Sequence, residues 1–137
     1  MNNAASILLL VFLAMTFIQS GYDKLFYWKD NLDWLKEHFA KTRLKNLVPL
    51  ALLHILVLEL ISGILCVVGC IELLVSNGRT FGLYGAVFSS ITLLMLLFGQ
   101  RLAKDYDGAR TIVIYFIPAI MAVYWFCLLY TSDAADE

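Results

Sequence analysis

The ionisable residues that interrupt long apolar runs are the ones in this sequence best placed to do chemistry. Glu59 lies inside the longest such run, and Lys24 and Arg101 follow two others. A charged group at the centre of a bilayer costs roughly 2.5–3.5 kcal/mol on insertion scales, so a carboxylate there takes up a proton or finds a cation. We therefore predict that Arg101 or Lys24 pairs with Glu59, that Arg101 turns inward, and that Glu59 handles protons or hydrogen bonds.

A polar segment, residues 99–109, separates two apolar runs and carries most of the remaining candidates. With the residues above, it predicts one polar pocket at a single end of the protein. The candidate pocket residues are Lys24, His54, Glu59, Gln100, Arg101, Lys104, Asp105 and Tyr106. Other interpretations stay open, because Arg101 and Lys104 are also typical membrane-surface anchors and Asp105 can pair with Arg101 one helical turn away. The pattern assigns no catalytic residue.

The sequence has no motif for binding zinc, phosphate or haem. His54 has no second His or Cys at ligand spacing, so it is interpreted as a packed or hydrogen-bonded histidine, and no metal site is predicted. Cys66 and Cys70 lie four residues apart, which is not the Cys-x-x-Cys redox spacing. They are predicted to be small packed side chains, with thiol redox chemistry as the alternative. No cofactor is evident from these residues.

The apolar composition determines which elements must hold these residues. The chain of 137 residues is 61% hydrophobic and 15% charged, whereas soluble domains are about 45–50% apolar. Apolar runs at residues 4–20, 47–75, 80–98 and 109–126 are long enough to cross a bilayer, for which about 17–25 residues suffice. The sequence therefore predicts an all-α, integral membrane four-helix bundle.

Residues 23–46 follow a different pattern from the four spans. Apolar residues recur there at helical spacing with charged residues between them, and Trp28 and Trp34 lie among Lys side chains. This pattern predicts an amphipathic interfacial helix between the first and second spans. A soluble cap packed on the bundle is the alternative.

Local signals predict where the helices end and how they pack. Asn46 is a plausible N-cap of the second span, and Pro49 suits its first turn. Asp107 and Gly108 predict the last turn, and Pro118 should kink the final helix. Five glycines are predicted to let helices approach closely: Gly21, Gly63, Gly69, Gly82 and Gly85.

Charge distribution predicts how the chain is oriented. Four spans place both termini on one side, and nine of the ten Lys and Arg residues lie on the other, with Arg79 as the exception. The positive-inside rule then puts residues 23–46 and 99–110 in the cytoplasm and the termini outside. The formal net charge of −1 and the absence of a nucleic-acid motif predict the lipid bilayer, and no nucleic acid, as a partner.

The last eleven residues, 127–137, resemble a translated sequencing adapter. Their sequence, Cys-Leu-Leu-Tyr-Thr-Ser-Asp-Ala-Ala-Asp-Glu, can be encoded by the transposase-end sequence of a library kit. An acidic native tail is the alternative reading. Adapter-derived segments are set aside from fold reasoning. We therefore expect residues 1–126 to be a C-terminally truncated four-helix domain and residues 127–137 to be adapter read-through.

Three segments together resemble the DoxX family of small membrane proteins. They are residues 17–25 (Phe-Ile-Gln-Ser-Gly-Tyr-Asp-Lys-Leu), 58–63 (Leu-Glu-Leu-Ile-Ser-Gly) and 99–109 (Gly-Gln-Arg-Leu-Ala-Lys-Asp-Tyr-Asp-Gly-Ala). The resemblance implies a four-helix bundle of a bacterial inner membrane that is associated with redox work, since DoxX and the similar DoxD and MauE proteins are linked with quinone oxidoreductases, thiosulfate oxidation or membrane thiol chemistry. A quinone is the one cofactor that the resemblance suggests. The resemblance also implies that the family-like residues are Gly21, Lys24, Glu59, Gly63, Arg101, Lys104, Asp105 and Tyr106. This sequence departs from a thiol oxidoreductase in lacking a Cys-x-x-Cys motif.

The residues and the resemblance together support three hypotheses about function. The first is an accessory or quinone-proximal subunit of a membrane redox system, with redox subunits as partners. The second is a small-molecule- or lipid-binding or transporting bundle, and the third is a membrane scaffold without chemistry. The sequence does not decide whether the protein is an enzyme.

Overall fold

Five helices make up the described part of the protein. The computed structural model of the chain describes residues 4–42 and 46–136, with side chains described as far as Leu128. The helices are α1 (Ala4–Phe26), α2 (Trp28–His38), α3 (Val48–Ser76), α4 (Thr80–Leu102) and α5 (Tyr106–Asp136). The described residues contain helices and turns and no strands, so the all-α prediction is confirmed.

Four of these helices, α1, α3, α4 and α5, are long and apolar enough to cross a membrane. Their outward faces carry large apolar side chains such as Leu8, Leu74, Ile114 and Tyr124, each more than 60% exposed. Such a surface suits lipid, because a soluble protein of this size does not expose a continuous apolar belt. The chain is a multi-pass membrane protein.

The four spanning helices surround one core. α3 has its most extensive contacts with α4 and α1, and α4 also packs along α5. α5 meets α1 over a smaller area, and a hydrogen bond from Trp125 Nε1 to Ser6 Oγ, 2.8 Å long, joins them at one end. We call this the Trp125 end and the opposite end, where α1 finishes, the Lys24 end.

Small residues allow α3 and α4 to approach closely. A Cβ added at Gly69 would lie only 2.7 Å from the backbone N and Cα of Gly82, so a side chain has no room there. Towards the Lys24 end the contact becomes polar, with Ser62 Oγ 3.3 Å from Thr92 Oγ1 and Cys66 Sγ 3.7 Å from a serine hydroxyl on α4. Added Cβ atoms at the other predicted packing glycines, Gly21, Gly63, Gly82 and Gly85, would lie within 3.0 Å of atoms on neighbouring helices.

Two predicted helix ends are wrong, and side-chain hydrogen bonds explain why. α1 continues to Phe26 instead of stopping at Ser20, because Ser20 and Lys24 face the bundle one turn apart and hydrogen bond to each other. α5 begins at Tyr106, and the predicted turn at Asp107 and Gly108 lies within it. Asp105 Oδ1 accepts a hydrogen bond from the Gly108 N–H at 2.9 Å, which satisfies a free donor in the first turn and starts the helix early.

The segment between the first two spans also differs in detail from its prediction. The amphipathic helix α2 covers Trp28–His38, less than the predicted 23–46, and turns occupy residues 39–42. Asn46 is not the N-cap of α3, because Leu47 holds that position and no side chain caps it. Pro49 lies in the first turn of α3, as predicted. The basic residues Arg43 and Lys45 lie outside the described residues.

Candidate functional site

A buried ion pair between α1 and α3 is the centre of the candidate site. Lys24 Nζ lies 3.1 Å from Glu59 Oε2 and donates a hydrogen bond to Glu59 Oε1 at 3.2 Å. Ser20 Oγ also donates to Oε1, at 3.1 Å, and accepts from Lys24 Nζ at 2.7 Å. Glu59 is only 1% exposed, and the Lys24 side chain is 17% exposed. Removing this carboxylate from water is tolerated because a cation and a hydroxyl meet it there.

The helix geometry brings these three side chains together. Ser20 and Lys24 are four residues apart, so they lie on the same face of α1 and both reach Glu59. Between them in sequence, Gly21 packs against Leu60 and Leu56 of α3, which brings the helices close. Because α1 ends five residues after Gly21, the first residues of α3 extend past it by about 10 Å at 1.5 Å per residue. Glu59 therefore lies below the surface that α2 covers.

One oxygen of the Glu59 carboxylate keeps free hydrogen-bonding capacity. Oε1 accepts from both Ser20 and Lys24, whereas Oε2 accepts no hydrogen bond within residues 4–42 and 46–128. The 3.1 Å contact of Oε2 with Lys24 Nζ is thus an ionic contact without hydrogen-bond geometry. A buried carboxylate oxygen that lacks a donor is a place where a further donor would be stabilised.

Two cavities lie on opposite sides of the ion pair. The capped cavity, about 600 Å³, lies beneath α2 between α3 and α4, and its lining includes Lys24, Trp34, His54 and Gln100. The side cavity, about 460 Å³, lies where α1 and α5 are apart at the Lys24 end, and its lining includes Ser20 and Glu59. Leu96 lines both cavities. The Lys24–Glu59 pair therefore forms part of the wall between them.

A second polar cluster fastens α2 to the turn between α4 and α5. His38 Nε2 lies 3.3 Å from Gln100 Oε1 and 3.6 Å from Asp105 Oδ2. The His38 ring stacks on Trp34 with 4.5 Å between centroids. Asn31 Nδ2 donates to the backbone carbonyl of Tyr27, 2.9 Å away, and ties the start of α2 to the end of α1. These contacts hold α2 over the capped cavity.

The structure separates the predicted pocket residues into three groups. Lys24 and Glu59 meet directly, and Gln100 and Asp105 belong to the cluster around His38. His54 is exposed but lines the capped cavity, and Lys104 is exposed, in a left-handed conformation with φ 61°.

The prediction that Arg101 turns inward is wrong. Its side chain is exposed and lies over the Tyr106 ring, 5.0 Å from the centroid. Arg101 is near the end of α4, and α4, like α3, extends beyond the end of α1, so it lies too far along the bundle to face Glu59. The cation that meets Glu59 is Lys24, the other candidate considered. Asp105 pairs with His38. The alternative prediction, that Asp105 pairs with Arg101 one helical turn away, is therefore wrong.

Sequence reasoning left three residues of these sites out of the predicted pocket. Ser20 and Asp23 line the side cavity, and His38 joins the α2 cluster. The i, i+4 spacing of Ser20 and Lys24 indicates that the two side chains share a helix face, provided that α1 continues as far as Lys24. Glu72, a second carboxylate inside α3, accepts a hydrogen bond from the Phe81 N–H at 3.2 Å and so caps the start of α4. Its position close to the Ser76–Arg79 turn was visible in the sequence.

No group of three or more His, Cys, Asp or Glu side chains that could hold a metal ion occurs in the described part of the chain. The side chains around the ion pair are instead a carboxylate, an ammonium group and hydroxyl or amide groups. These groups can exchange protons with a ligand and form hydrogen bonds to it.

Comparisons with known proteins agree with the resemblance in the sequence. The DoxX family model matches residues 6–98, which include α1, α2, α3 and most of α4. The match contains both Lys24 and Glu59 and ends just before the 99–109 segment. No curated protein and no solved structure gives a significant match. Because the family model covers more than half of the chain, the protein belongs to the DoxX family.

Proposed function

We propose that this protein is an accessory, quinone-proximal subunit of a membrane redox system in a bacterial inner membrane. The observation that carries the proposal is the buried Lys24–Glu59 pair, which lies between two cavities inside a membrane bundle. An ionisable group held within a span is more often functional than structural, because placing it there has a cost. The redox associations implied by the resemblance to DoxX proteins support the same reading.

The capped cavity fits the headgroup of a quinone in size and in chemistry. Its volume of about 600 Å³ lies within the range of ligand sites, about 300–1,000 Å³. A quinone ring is flat and apolar and carries two carbonyl acceptors. The cavity offers the ammonium of Lys24, the imidazole of His54 and the amide of Gln100 as donors, with Trp34 among its apolar walls. A bound quinone would supply two-electron, two-proton redox chemistry.

The chain's own part in this chemistry is to hold and move protons beside the cavity. Lys24 Nζ can donate toward the capped cavity while Glu59 and Ser20 fix its position. A proton lost from Nζ is replaceable through Ser20 Oγ, which lies 2.7 Å away and lines the side cavity. Glu59 holds the Lys24 side chain in place between these steps through the contacts at 3.1 and 3.2 Å.

Glu59→Gln tests this proposal. The amide keeps the shape of the side chain but not its charge, so we expect folded protein in the membrane that has lost its function. Loss of a charge-assisted hydrogen bond costs roughly 1.5–3 kcal/mol, which corresponds to about a tenfold or larger drop in retained quinone. The measurement is mass-spectrometric identification of quinones and partner proteins that co-purify with the full chain from native membranes, together with quinone-dependent oxidoreductase activity.

Glu72→Gln is the matched control. It makes the same chemical change in the same helix, but Glu72 hydrogen bonds to the backbone of α4 near the Trp125 end, far from both cavities. We expect this variant to retain quinone. A fully active Glu59→Gln protein, or one that loses no more quinone than Glu72→Gln, would contradict the proposal.

A second candidate function is a small-molecule- or lipid-binding bundle. The observation in its favour is the side cavity, which is separate from the capped cavity and is reached between α1 and α5. This function predicts a ligand that co-purifies with the protein in the absence of any redox phenotype. The same purification therefore distinguishes the two candidates.

A further inference from the structure

The side cavity combines an apolar body with acceptor groups at one end. Phe12, Leu96 and Ile112 are among its apolar lining residues. Its polar lining residues include Ser20, Asp23 and Glu59. Among the described residues, no Lys or Arg side chain lines it; Lys24 lines the capped cavity and reaches Glu59 from there, at 3.1 Å. A ligand that enters therefore meets negative charge and hydrogen-bond acceptors.

Glu59, which lines this cavity, has one carboxylate oxygen without a hydrogen-bond donor among the described residues. The residue is 1% exposed, and its Oε2 receives no hydrogen bond from the described residues. A donor that reaches Oε2 would satisfy a polar atom that is already removed from water. The lining of the side cavity therefore suits a ligand that donates hydrogen bonds.

The local charges leave one negative charge without a partner. Asp23 and Glu59 contribute two carboxylates, and Lys24 contributes one cation that pairs with Glu59. Asp23 makes no ion pair within the described residues; the ion pairs found there join Lys24 to Glu59, His38 to Asp105 and Arg110 to Asp107. One additional positive charge in the side cavity would balance the site.

We propose that the side cavity binds a primary ammonium group carried on an apolar chain, with Glu59 Oε2 and the Asp23 carboxylate as acceptors. A primary ammonium supplies three N–H donors and one positive charge, which matches both the free acceptor and the unpaired carboxylate. The apolar chain lies against Phe12 and the α5 side of the cavity and leaves between α1 and α5, where Met15 is 57% exposed on the bundle surface. Aminolipid headgroups and free alkylamines share this chemistry.

This ligand assignment goes beyond the proposed redox function, and it names a ligand class for the second candidate function, which rests on the same side cavity. The quinone proposal concerns the capped cavity and the donors that line it. The amine proposal concerns the side cavity and its acceptors. Quinone content and amine binding are measured separately, so either can fail while the other holds.

Three probes that differ only in their headgroup test the proposal on the full chain in detergent. Dodecylamine carries a charge and N–H donors, dodecyltrimethylammonium has the charge without N–H donors, and dodecanol is uncharged. We expect saturable binding of dodecylamine by calorimetry and at least about tenfold weaker binding of the other two, since each lacks one charge-assisted interaction. Equal binding of dodecylamine and dodecyltrimethylammonium would overturn the assignment.

Two variants test whether dodecylamine binds in the side cavity. Asp23→Asn removes an exposed carboxylate without disturbing the core, and Ile112→Trp fills the cavity from α5. Each should weaken dodecylamine binding about tenfold or more, whereas Asp30→Asn, the same change on the exposed face of α2, should leave it unchanged. Binding that survives both Asp23→Asn and Ile112→Trp would disprove the site.

The source of the amine is found with lipids instead of detergents. The protein is reconstituted in nanodiscs that contain equal amounts of phosphatidylethanolamine and phosphatidylcholine, and retained lipids are identified by native mass spectrometry. Preferential retention of phosphatidylethanolamine, lost in Asp23→Asn, supports an aminolipid ligand. Saturable dodecylamine binding without lipid preference supports a free alkylamine as the occupant of the same site.

Discussion

At the residue scale, the Lys24–Glu59 pair makes each partner depend on the other. Lys24 lies at the end of α1, close enough to the surface to be 17% exposed, while the Glu59 side chain is 2% exposed. Loss of the lysine would therefore leave a carboxylate with no cation and only one hydroxyl donor, from Ser20. Loss of the glutamate would leave a lysine that can still reach the surface. The two losses are not equivalent, although they break the same contact.

Lys24→Met should destabilise the protein more than Glu59→Gln does. Breaking a buried pair by removing one partner costs about 3–5 kcal/mol, because the remaining charge stays buried. Adding Glu59→Gln to Lys24→Met should recover much of that loss, since the double variant has no unpaired carboxylate. Chemical unfolding of the four proteins of this cycle in micelles measures the coupling.

Lys104→Met is the control for a lysine that makes no such pair. Lys104 is exposed in the turn after α4, and its loss should change the free energy of unfolding by less than about 0.5 kcal/mol, as is typical of surface substitutions. If Lys24→Met were as mild as Lys104→Met, the carboxylate of Glu59 would not need its cation.

The sequence predicted that Glu59 needs a cation and named both candidates, but its choice of Arg101 as the one that turns inward was wrong. Both Lys24 and Arg101 lie at the same end of the bundle, and hydrophobicity alone ended the first span at Ser20. Lys24 reaches Glu59 because α1 continues to Phe26 with Ser20 and Lys24 on one face. Hydrophobicity does not predict this last turn, because it contains charged residues. Arg101 instead rests over Tyr106, five residues later in the chain, through a local contact.

At the element scale, α2 is fastened over the capped cavity by a few polar contacts. No residue of α2 is fully buried, so its attachment relies on groups such as His38, which lies 3.3 Å from Gln100 and 3.6 Å from Asp105. Elements with few buried apolar contacts open more readily than the core. α2 is thus the element of the bundle whose position is easiest to change.

His38→Ala should loosen α2 without unfolding the bundle. The substitution removes both polar contacts and the stacking on Trp34, so amide hydrogens of Trp28–His38 should exchange faster while those of α3 and α4 remain protected. Hydrogen exchange read by mass spectrometry measures both effects. His54→Ala, which removes an exposed histidine with no described hydrogen bond to α2, should leave the exchange of α2 unchanged.

The close packing of α3 on α4 leads to a third prediction. Gly69→Ala would place a Cβ 2.7 Å from the Gly82 backbone, and overpacking of this kind costs typically 1–3 kcal/mol. Gly99→Ala is the matched control, because its Cβ would lie 3.7 Å from Phe39, an ordinary contact. We expect a lower thermal midpoint for Gly69→Ala only. Equal midpoints would mean that the helices can separate without loss.

Sequence patterns were sufficient to predict the four spans and an amphipathic helix between the first two, but not the ends of the elements. Asp105 shows why, because its side chain caps α5 three residues before the apolar run begins. Glu72 is a second example, since this carboxylate near the end of α3 accepts a hydrogen bond from the backbone N–H of Phe81 in the next helix. Such contacts depend on which turn a side chain faces, and hydrophobicity does not report it.

At the scale of the whole molecule, charge is concentrated at the Lys24 end. That end contains the finish of α1, all of α2 and the turn between α4 and α5, and the exposed residues Lys29, Lys36 and Lys104 lie there. Membrane insertion favours such an end on the cytoplasmic side. Our orientation prediction therefore puts α2 in the cytoplasm and the turn between α3 and α4 outside.

Single cysteines test this orientation. In a variant whose native cysteines are replaced by alanine, Lys36→Cys should be protected from an impermeant maleimide in intact cells and react once the membrane is opened. Asn77→Cys, in the exposed turn between α3 and α4, should react in intact cells. The opposite labelling pattern would invert the topology and move both cavities relative to the cytoplasm.

The order of the helices along the chain has a consequence for biosynthesis. Lys24 and Glu59 belong to the first two spans, so the carboxylate can find its cation before α4 has been synthesised. The hydrogen bond between Ser6 and Trp125 joins residues 119 positions apart, so it forms only after the last span has entered the membrane. A ribosome-bound chain that ends before α5 therefore carries a neutralised pair but an unfinished side cavity. The binding site between α1 and α5 is completed last, when the whole bundle has been inserted.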